Sequence, residues 1–336
     1  MAPADPYAGG TDAAVVAAAC DWLAAGHSAH LLTVVRTWGA SPRPPGALMA
    51  RRDDGVVVGS VSGGCVEADL PGHLPAPGHP PVRLVYGAEA GEGERFGLPC
   101  GGTLELLAEP LTPHDAAGLT AIREALARGE TVRRQVLRDS GAVRLGADDG
   151  GPDLLADEAA VAKRFGPAWR LFIVGGGELG GHLAAMARRL AYGVTVCEPR
   201  AAYREGFAEA SVTLDRRMPD DAVAAWGPDP RGAVVTTSHD PKLDDLALMA
   251  ALPSPAFYVG ALGSTRTNDR RRQRLAELGL PEPAVARLRG PMGLAIGSHT
   301  PPEIAVAVLA ELTAVRNDRD PRPEQVAATA HARLSS

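Results

Sequence analysis

The second half of the chain alternates short apolar runs with segments of helical hydrophobic spacing. The runs are continuous, as is typical of parallel strands buried on both faces. Strands are predicted at Leu171–Val174, Val194–Cys197, Ser211–Leu214, Gly232–Thr237 and Phe257–Gly260. Helices are predicted between them, and a final amphipathic helix is predicted at Pro301–Arg316. This alternation predicts an α/β domain built on a parallel sheet.

The first half has a different pattern, which predicts a smaller α+β domain. Helical spacing covers Asp12–Ala25 and His114–Arg128. Strands are predicted at Leu31–Arg36, Ala47–Ala50, Val56–Val58, Val82–Tyr86, Thr103–Ala108, Thr131–Arg138 and Ala142–Leu145. Residues 154–165 show no clear pattern, and Gly166 and Pro167 then break the chain. We therefore expect a first domain at 1–166, a second at 167–318 and a flexible tail at 319–336.

A glycine-rich turn joins the first strand of the second half to its helix. Gly175, Gly177 and Gly180 have the G-x-G-x-x-G spacing. In this motif the first glycine permits the turn, the second lets a pyrophosphate approach the backbone and the third lets the helix pack on the sheet. The next strand ends at Glu198, where an acidic side chain usually holds an adenosine ribose. The segment predicts a Rossmann-like domain and favours NAD over NADP, although Arg200 could receive a 2′-phosphate. Alternatively, the glycines serve only the turn and the packing.

A second candidate phosphate site precedes an arginine-rich helix. A helix N-terminus beside arginines favours an anion. The candidate residues are Gly263, Ser264, Thr265 and Arg266. Arg271 and Arg272, further along the same helix, are expected to lie on its solvated face.

Two cysteines of the first half lie beside glycine pairs. Cys65 follows such a pair in GSVSGGCVE, and Cys100 precedes one in FGLPCGGTLELLAEP. Cys65 is predicted to enter a helix, whose N-terminus would lower the pKa of the thiol. Both thiols are candidate reactive residues of a functional site, or alternatively both are small buried hydrophobic residues. Glu67 and Glu105 lie near them in sequence, and either is alternatively a solvated residue.

Composition narrows the classes of function. Hydrophobic residues at 45% and charged residues at 22% are typical of a soluble globular protein, and no apolar run approaches the roughly twenty residues that span a bilayer. A net charge of -6 gives no overall positive field that would attract nucleic acid. No basic segment precedes the alanine-rich run near the N-terminus, and none of the four cysteines forms a C-x-x-C pair. We therefore expect a cytoplasmic protein in a reducing compartment.

Five segments carry motifs that recur in a known family. They are GSVSGGCVE, FGLPCGGTLELLAEP, the glycine turn, YVGALGSTRTNDRR and GLAIGSHTPPEIAVAVLAEL. Together they resemble the XdhC/CoxI family. These segments span nearly the whole chain in the family's order. The family consists of accessory proteins for molybdenum hydroxylases such as xanthine dehydrogenase and carbon monoxide dehydrogenase. The resemblance implies an N-terminal XdhC/CoxI domain followed by a Rossmann domain.

The resemblance also implies a function. It implies that the protein binds the molybdenum cofactor (molybdopterin), protects it during sulfuration and inserts it into an apo-hydroxylase. It also implies a homodimer. A cysteine desulfurase is a further candidate partner. Cys65 and Cys100 match the cysteines of the family's motifs, and thiolates suit soft molybdenum. The glycine turn and the arginine helix suit the phosphate or dinucleotide part of such a cofactor.

Glu198 leaves an alternative open, because a chaperone does not need an acidic residue for a ribose. In this alternative the chain is an oxidoreductase that uses NAD(H) or NADP(H) on a small molecule. His239 or His299 would then donate a proton, and Cys65 would line the substrate pocket. The other interpretation of each histidine is a solvated or capping residue. A third hypothesis is a structural adaptor that binds no small molecule.

Overall fold

The chain divides into two compact units between Pro167 and Ala168. The computed structural model describes residues 10–39, 43–64, 66–87, 102–148, 150–205, 207 and 212–319. Among these residues, no helix is both long and apolar enough to cross a membrane.

In its described residues, the first unit has two antiparallel sheets and two α-helices, α1 (Thr11–Ala24) and α2 (Ala116–Ala127). The strands of its first sheet are β1 (Ala29–Trp38), β2 (Leu48–Arg52), β3 (Val57–Gly59), β4 (Val82–Tyr86) and β5 (Thr103–Leu111), in the spatial order β3-β2-β1-β5-β4. Those of the second are β6 (Val132–Leu137), β7 (Val143–Ala147), β8 (Leu154–Ala156) and β9 (Ala160–Phe165), in the order β7-β6-β9-β8.

Both faces of the first sheet are buried. The helices α1 and α2 pack over one face, where they cover Leu31 of β1. The loop after β3 covers the other face, because its residues Val61, Val66 and Leu70 pack against Leu32. This loop is therefore held against the sheet by ordinary apolar packing.

Ion pairs join the two sheets of the first unit. Arg134 of β6 donates to both carboxylate oxygens of Glu109 on β5, at 3.0 and 2.7 Å. Arg138 lies 3.4 Å from Glu105 of the same strand. Because Glu105 is only 3% exposed, its interpretation as a solvated residue is wrong. Burial of a carboxylate here is compensated by the cations that the second sheet supplies.

The second unit is a parallel sheet with helices on both faces. Its strands are β10 (Trp169–Val174), β11 (Tyr192–Cys197), β12 (Thr213–Asp215), β13 (Gly232–Thr236), β14 (Tyr258–Ala261) and β15 (Leu288–Arg289), in the order β12-β11-β10-β13-β14-β15. Its helices are α3 (Glu178–Arg189), α4 (Ala201–Glu205), α5 (Pro219–Trp226), α6 (Pro241–Ala251), α7 (Thr265–Glu277), α8 (Glu282–Ala286) and α9 (Pro301–Arg316).

The strand order reverses between β10 and β13, as in doubly wound dinucleotide-binding folds. One face of the sheet carries α3 and α9, and the other carries α5, α6 and α8. The predicted fold class, a parallel Rossmann-like sheet and a smaller α+β domain, is confirmed.

The unpatterned stretch before the second unit contains two strands that the sequence did not reveal, β8 and β9. Lys163 of β9 points inward and is 8% exposed. It lies 2.8 Å from Asp12 of α1, which compensates its burial. A charged residue at an inward position hides the alternation that identifies a strand.

Candidate functional site

Several candidate residues lie at the carboxyl ends of the parallel strands. The glycine turn follows β10, Glu198 follows β11, His239 follows β13 and Ser264 follows β14. Ligands of open α/β sheets bind at this edge, beside the point where the strand order reverses. The fold thus brings the candidates of the second unit to one edge.

The three glycines of the turn have different surroundings. Gly175 has φ +115°, and a Cβ added to it would lie 2.8 Å from the backbone of Ser238. A Cβ on Gly180 would lie 2.0 Å from the carbonyl oxygen of Gly175, so only glycine lets α3 pack this closely. A Cβ on Gly177 would meet nothing within 4 Å. The space beside Gly177, at the start of α3, is therefore open to at least one added carbon.

Glu198 does not face this space freely. Its side chain is fully buried, and Arg200 donates to it through Nε and a terminal nitrogen, both at 2.8 Å. The backbone N–H groups of Gly176 and Arg200 also donate to it, at 2.9 and 3.0 Å. Burial opposes ionisation of this carboxyl, but the hydrogen bonds from Arg200 and Gly176 lower its pKa. The start of α3 is thus open beside Gly177, whereas the Glu198 carboxylate is already occupied by donors of its own chain. Phosphate binding by the glycine turn remains a prediction.

The two candidate histidines are both exposed. His239, three residues after the end of β13, has φ +58°, an unusual value for a residue other than glycine. His299 donates its backbone N–H to Glu303 at 2.8 Å, within the cap of α9. A role as proton donor remains a prediction for each.

The start of α7 is capped from within. Ser264 is the N-cap, and its Oγ accepts a hydrogen bond from the backbone N–H of Thr267 at 3.2 Å. The preceding Gly263 has φ +123°. Thr265 and Arg266 are exposed. Phosphate binding by these residues remains a prediction.

Arg271 does not lie on a solvated face, so that expectation is wrong. It is 3% exposed and donates to Asp244 of α6 at 3.0 Å and to the carbonyl oxygen of Leu262 at 2.9 Å. Asp244 also accepts from Ser238 Oγ at 2.6 Å. These contacts tie the loop after β13 to the loop after β14.

Arg272 is likewise engaged with the fold. It donates to the carbonyl oxygen of Gly290 at 2.8 Å and to that of Leu288 at 3.3 Å. It also pairs with Asp269 one turn earlier, at 3.1 Å. Its assignment to a solvated face is therefore also wrong.

Cys65 and Cys100 lie outside the described residues. The helix that was expected to begin at Cys65 is absent from the described residues that follow it. Residues 66–69 form turns, and Leu70–Gly72 form one 3₁₀ turn. Pro71 and Gly72 disfavour continuation of a helix.

Glu67 holds the loop around this position. Its carboxylate accepts hydrogen bonds from Ser60 Oγ at 2.7 Å and from Ser62 Oγ. It also accepts from the backbone N–H groups of Val61, Ser62, Gly64 and Val66 at 2.9 to 3.2 Å. Burial would raise the pKa of this carboxyl, but the hydrogen bonds from Ser62 and Ser60 lower it to about 2. Glu67 is thus a loop anchor, and its interpretation as a solvated residue is wrong.

The two described cysteines are inert core residues. Burial raises the pKa of Cys20, and it raises that of Cys197 to about 12. Among the residues that the structure describes, no three His, Cys, Asp or Glu side chains are grouped to hold a metal.

Sequence reasoning missed the network of Ser238, Asp244 and Arg271. No spacing rule joins these positions, because they lie on three different elements. The one available signal was the pair Asp244 and Asp245 on the apolar helix α6, where a buried acid needs a cation.

A six-stranded parallel sheet with a glycine turn at its switch point defines a Rossmann-type nucleotide-binding fold. Residues 171–312 match the XdhC Rossmann domain, and residues 22–73 match the XdhC and CoxI family. The chain belongs to the XdhC and CoxI family.

Two relatives match both halves of the chain. The Escherichia coli protein named molybdenum cofactor insertion chaperone PaoD is 30% identical over 301 residues, which cover 89% of this chain and 86% of the relative. A Bacillus subtilis protein, named as a probable xanthine dehydrogenase subunit, is 26% identical over 315 residues, with coverage of 86% and 93%. A Bacillus halodurans crystal structure described as a xanthine dehydrogenase has the same fold, with a TM-score of 0.68 at 24% identity over 91% of this chain and 96% of that one.

Proposed function

We propose that this protein is an accessory factor for a molybdenum hydroxylase, which binds the molybdenum cofactor, protects it during sulfuration and inserts it into the apo-enzyme. The observation that carries the proposal is the match to a molybdenum cofactor insertion chaperone over 89% of the chain. The match includes both units, so it supports a shared role and not a shared fold alone.

The proposal assigns a task to each candidate group. Cys65 and Cys100 would hold molybdenum as thiolates, which are soft ligands. The open space over Gly177 would take a phosphate of the cofactor, and Arg266 would add a positive charge at the same sheet edge. When bound, the cofactor supplies the oxygen-transfer and redox chemistry of the hydroxylase. The residues of this chain bind it, orient it and keep water away from it.

The proposal also concerns partners and location. The apo-hydroxylase is the receiving partner, and a cysteine desulfurase is proposed as the source of the sulfur. We further propose a cytoplasmic homodimer. The alternative, an NAD(P)-dependent oxidoreductase, receives no support from Glu198, because both of its carboxylate oxygens already accept hydrogen bonds from Gly176 and Arg200.

The test begins with cofactor retention. The protein is purified from cells that make molybdopterin, and bound molybdenum and pterin are measured per chain by elemental analysis and by fluorescence after oxidation. We expect retention by the wild type and strong loss in Cys65→Ser and in Cys100→Ser. Cys20→Ala is the matched control, since it removes a buried thiol of the same unit and should retain the cofactor.

Transfer is tested with the loaded protein and a purified apo-hydroxylase. We expect hydroxylase activity to appear on mixing and to depend on the two cysteines. Unchanged retention in both serine variants would exclude the thiols as ligands. A wild type that holds neither molybdenum nor pterin and activates no apo-hydroxylase would overturn the proposed function.

A further inference from the structure

The carboxylate of Glu198 is saturated by hydrogen bonds from its own chain. One oxygen accepts from the backbone N–H and the Nε of Arg200, at 3.0 and 2.8 Å. The other accepts from the backbone N–H of Gly176 and a terminal nitrogen of Arg200, at 2.9 and 2.8 Å. An ionised carboxylate has about four acceptor sites. None is left for a ligand while Arg200 stays in place.

This saturation conflicts with the usual use of an acid at this position. In dinucleotide-binding Rossmann folds, the acid after the second strand accepts hydrogen bonds from the ribose hydroxyls. The strand β11 places Glu198 for that role, yet the Glu198 side chain is fully buried in its ion pair with Arg200. The Arg200 side chain supplies two of the four donors, one to each oxygen. Those are the two acceptor sites that a ribose diol would need.

Arg200 is itself held from two further sides. Its guanidinium lies 4.0 Å from the centre of the Tyr203 ring, a cation–π contact. A terminal nitrogen lies 3.4 Å from the carbonyl oxygen of Ser238, the residue against which Gly175 packs. Displacement of Arg200 by a nucleotide would break these contacts and the buried ion pair together.

We propose that Arg200 is a specificity-determining residue that takes the place of a ribose at Glu198 and excludes NAD⁺ from this Rossmann site. The glycine turn stays open, because Gly177 has no neighbour over it. The site therefore selects a ligand that presents phosphate without requiring a free ribose diol at Glu198. The inference goes beyond the proposed function, since it concerns which nucleotides are rejected and does not depend on molybdenum.

The test is NAD⁺ binding to Arg200→Ala by isothermal titration calorimetry. For the wild type we expect no saturation below about 1 mM. The substitution frees one acceptor site on each oxygen, so we expect binding about 10- to 100-fold tighter, as for hydrogen bonds to a charged group. Arg204→Ala is the matched control. It removes a nearby cation, on α4, that donates to the backbone carbonyls of Glu198 and Pro199, and it should bind NAD⁺ no better than the wild type does.

Further variants control for a loss of stability in Arg200→Ala and show where NAD⁺ binds. Arg200→Gln keeps a donor beside the buried carboxylate and should show a smaller gain, read as an NAD⁺-dependent rise in melting temperature. In Glu198→Leu with Arg200→Leu the space is opened without the acid, so no gain is expected. Adding Gly177→Val to Arg200→Ala should abolish the gain, because the new side chain fills the phosphate space.

Two results would overturn the inference. One is micromolar NAD⁺ binding by the wild type. The other is a folded Arg200→Ala and Arg200→Gln that bind NAD⁺ no better than the wild type does. Neither result bears on the chaperone proposal, which is decided by molybdenum retention.

Discussion

At the scale of single residues, the glycines of the turn differ in packing, although the motif spacing does not distinguish between them. A Cβ on Gly180 would overlap the carbonyl oxygen of Gly175 at 2.0 Å, whereas one on Gly177 meets nothing within 4 Å. We expect Gly180→Ala to lower the free energy of unfolding by about 2 kcal/mol, as overpacking does. Gly177→Ala, at an ordinary φ of -73°, should change it by less than about 0.5 kcal/mol.

Urea unfolding followed by circular dichroism measures both changes. The pair is its own control, since both substitutions add one methyl group within the same turn. Equal destabilisation by the two variants would contradict the difference in packing. A large loss for Gly177→Ala would mean that the space over this residue is not open.

Glu67 gives a prediction on pH. Its pKa is about 2 in the folded chain against an ordinary value of 4.5, so the folded state favours the ionised form. The resulting stabilisation is complete above pH 4.5 and is lost as the pH falls towards 2. Glu67→Gln places an amide N–H₂ against backbone donors, so we expect a loss of about 2 kcal/mol at pH 7. The difference in free energy of unfolding between the wild type and Glu67→Gln should decrease below pH 4.

The measurement is chemical denaturation at pH 7 and at pH 3.5 for the wild type and the variant. Glu124→Gln, on the exposed face of α2, is the control and should leave stability unchanged at both values. A loss that is the same at both pH values would show that the Glu67 charge is not what anchors the loop.

At the scale of elements, α7 depends on one buried arginine. Arg271→Ala would leave Asp244, which is 3% exposed, without its cation. Breaking one side of a buried pair costs about 3–5 kcal/mol. We therefore expect Arg271→Ala to lower the melting temperature by about 6–20 °C, at about 2–4 °C per kcal/mol. Arg270→Ala, one residue earlier and exposed, should leave it unchanged.

Differential scanning calorimetry separates the two arginine variants. A shift in Arg270→Ala as large as that in Arg271→Ala would mean that the charge of the helix matters, and not the contact with Asp244. A wild-type melting temperature for both variants would mean that Arg271 does not help to hold the sheet edge together.

Most elements were predictable, and the errors have identifiable physical causes. Apolar runs revealed β10, β11, β13 and β14, because buried parallel strands need no polar face. The inward Lys163 hid β9, since its compensating carboxylate comes from α1. The expected helix after Cys65 does not form, because Pro71 and Gly72 follow too closely.

At the scale of the whole molecule, each unit has hydrophobic clusters of its own. Among the described residues, two hydrophobic clusters lie within the second unit and three within the first. We therefore expect residues 168–336 to fold when expressed alone, with far-ultraviolet circular dichroism typical of an α/β domain and one cooperative thermal transition. A fragment that stays unfolded would mean that the second unit needs the first for its stability.

The sequence alone determined the local framework of this protein. Glycine spacing, continuous apolar runs and helix caps act over a few residues, so the strand, turn, helix and strand of the Rossmann unit could be predicted from their order. Only the tertiary structure decided which charged side chains are buried and which partners they pair with. Glu105, Arg271 and Lys163 are buried because an opposite charge from a distant element meets each of them. Even Glu198 and Arg200, two residues apart, form their pair inside a crevice that the glycine turn and the end of β13 build around them. Burial of a charge depends on partners that folding brings together, and no spacing rule within one segment contains them.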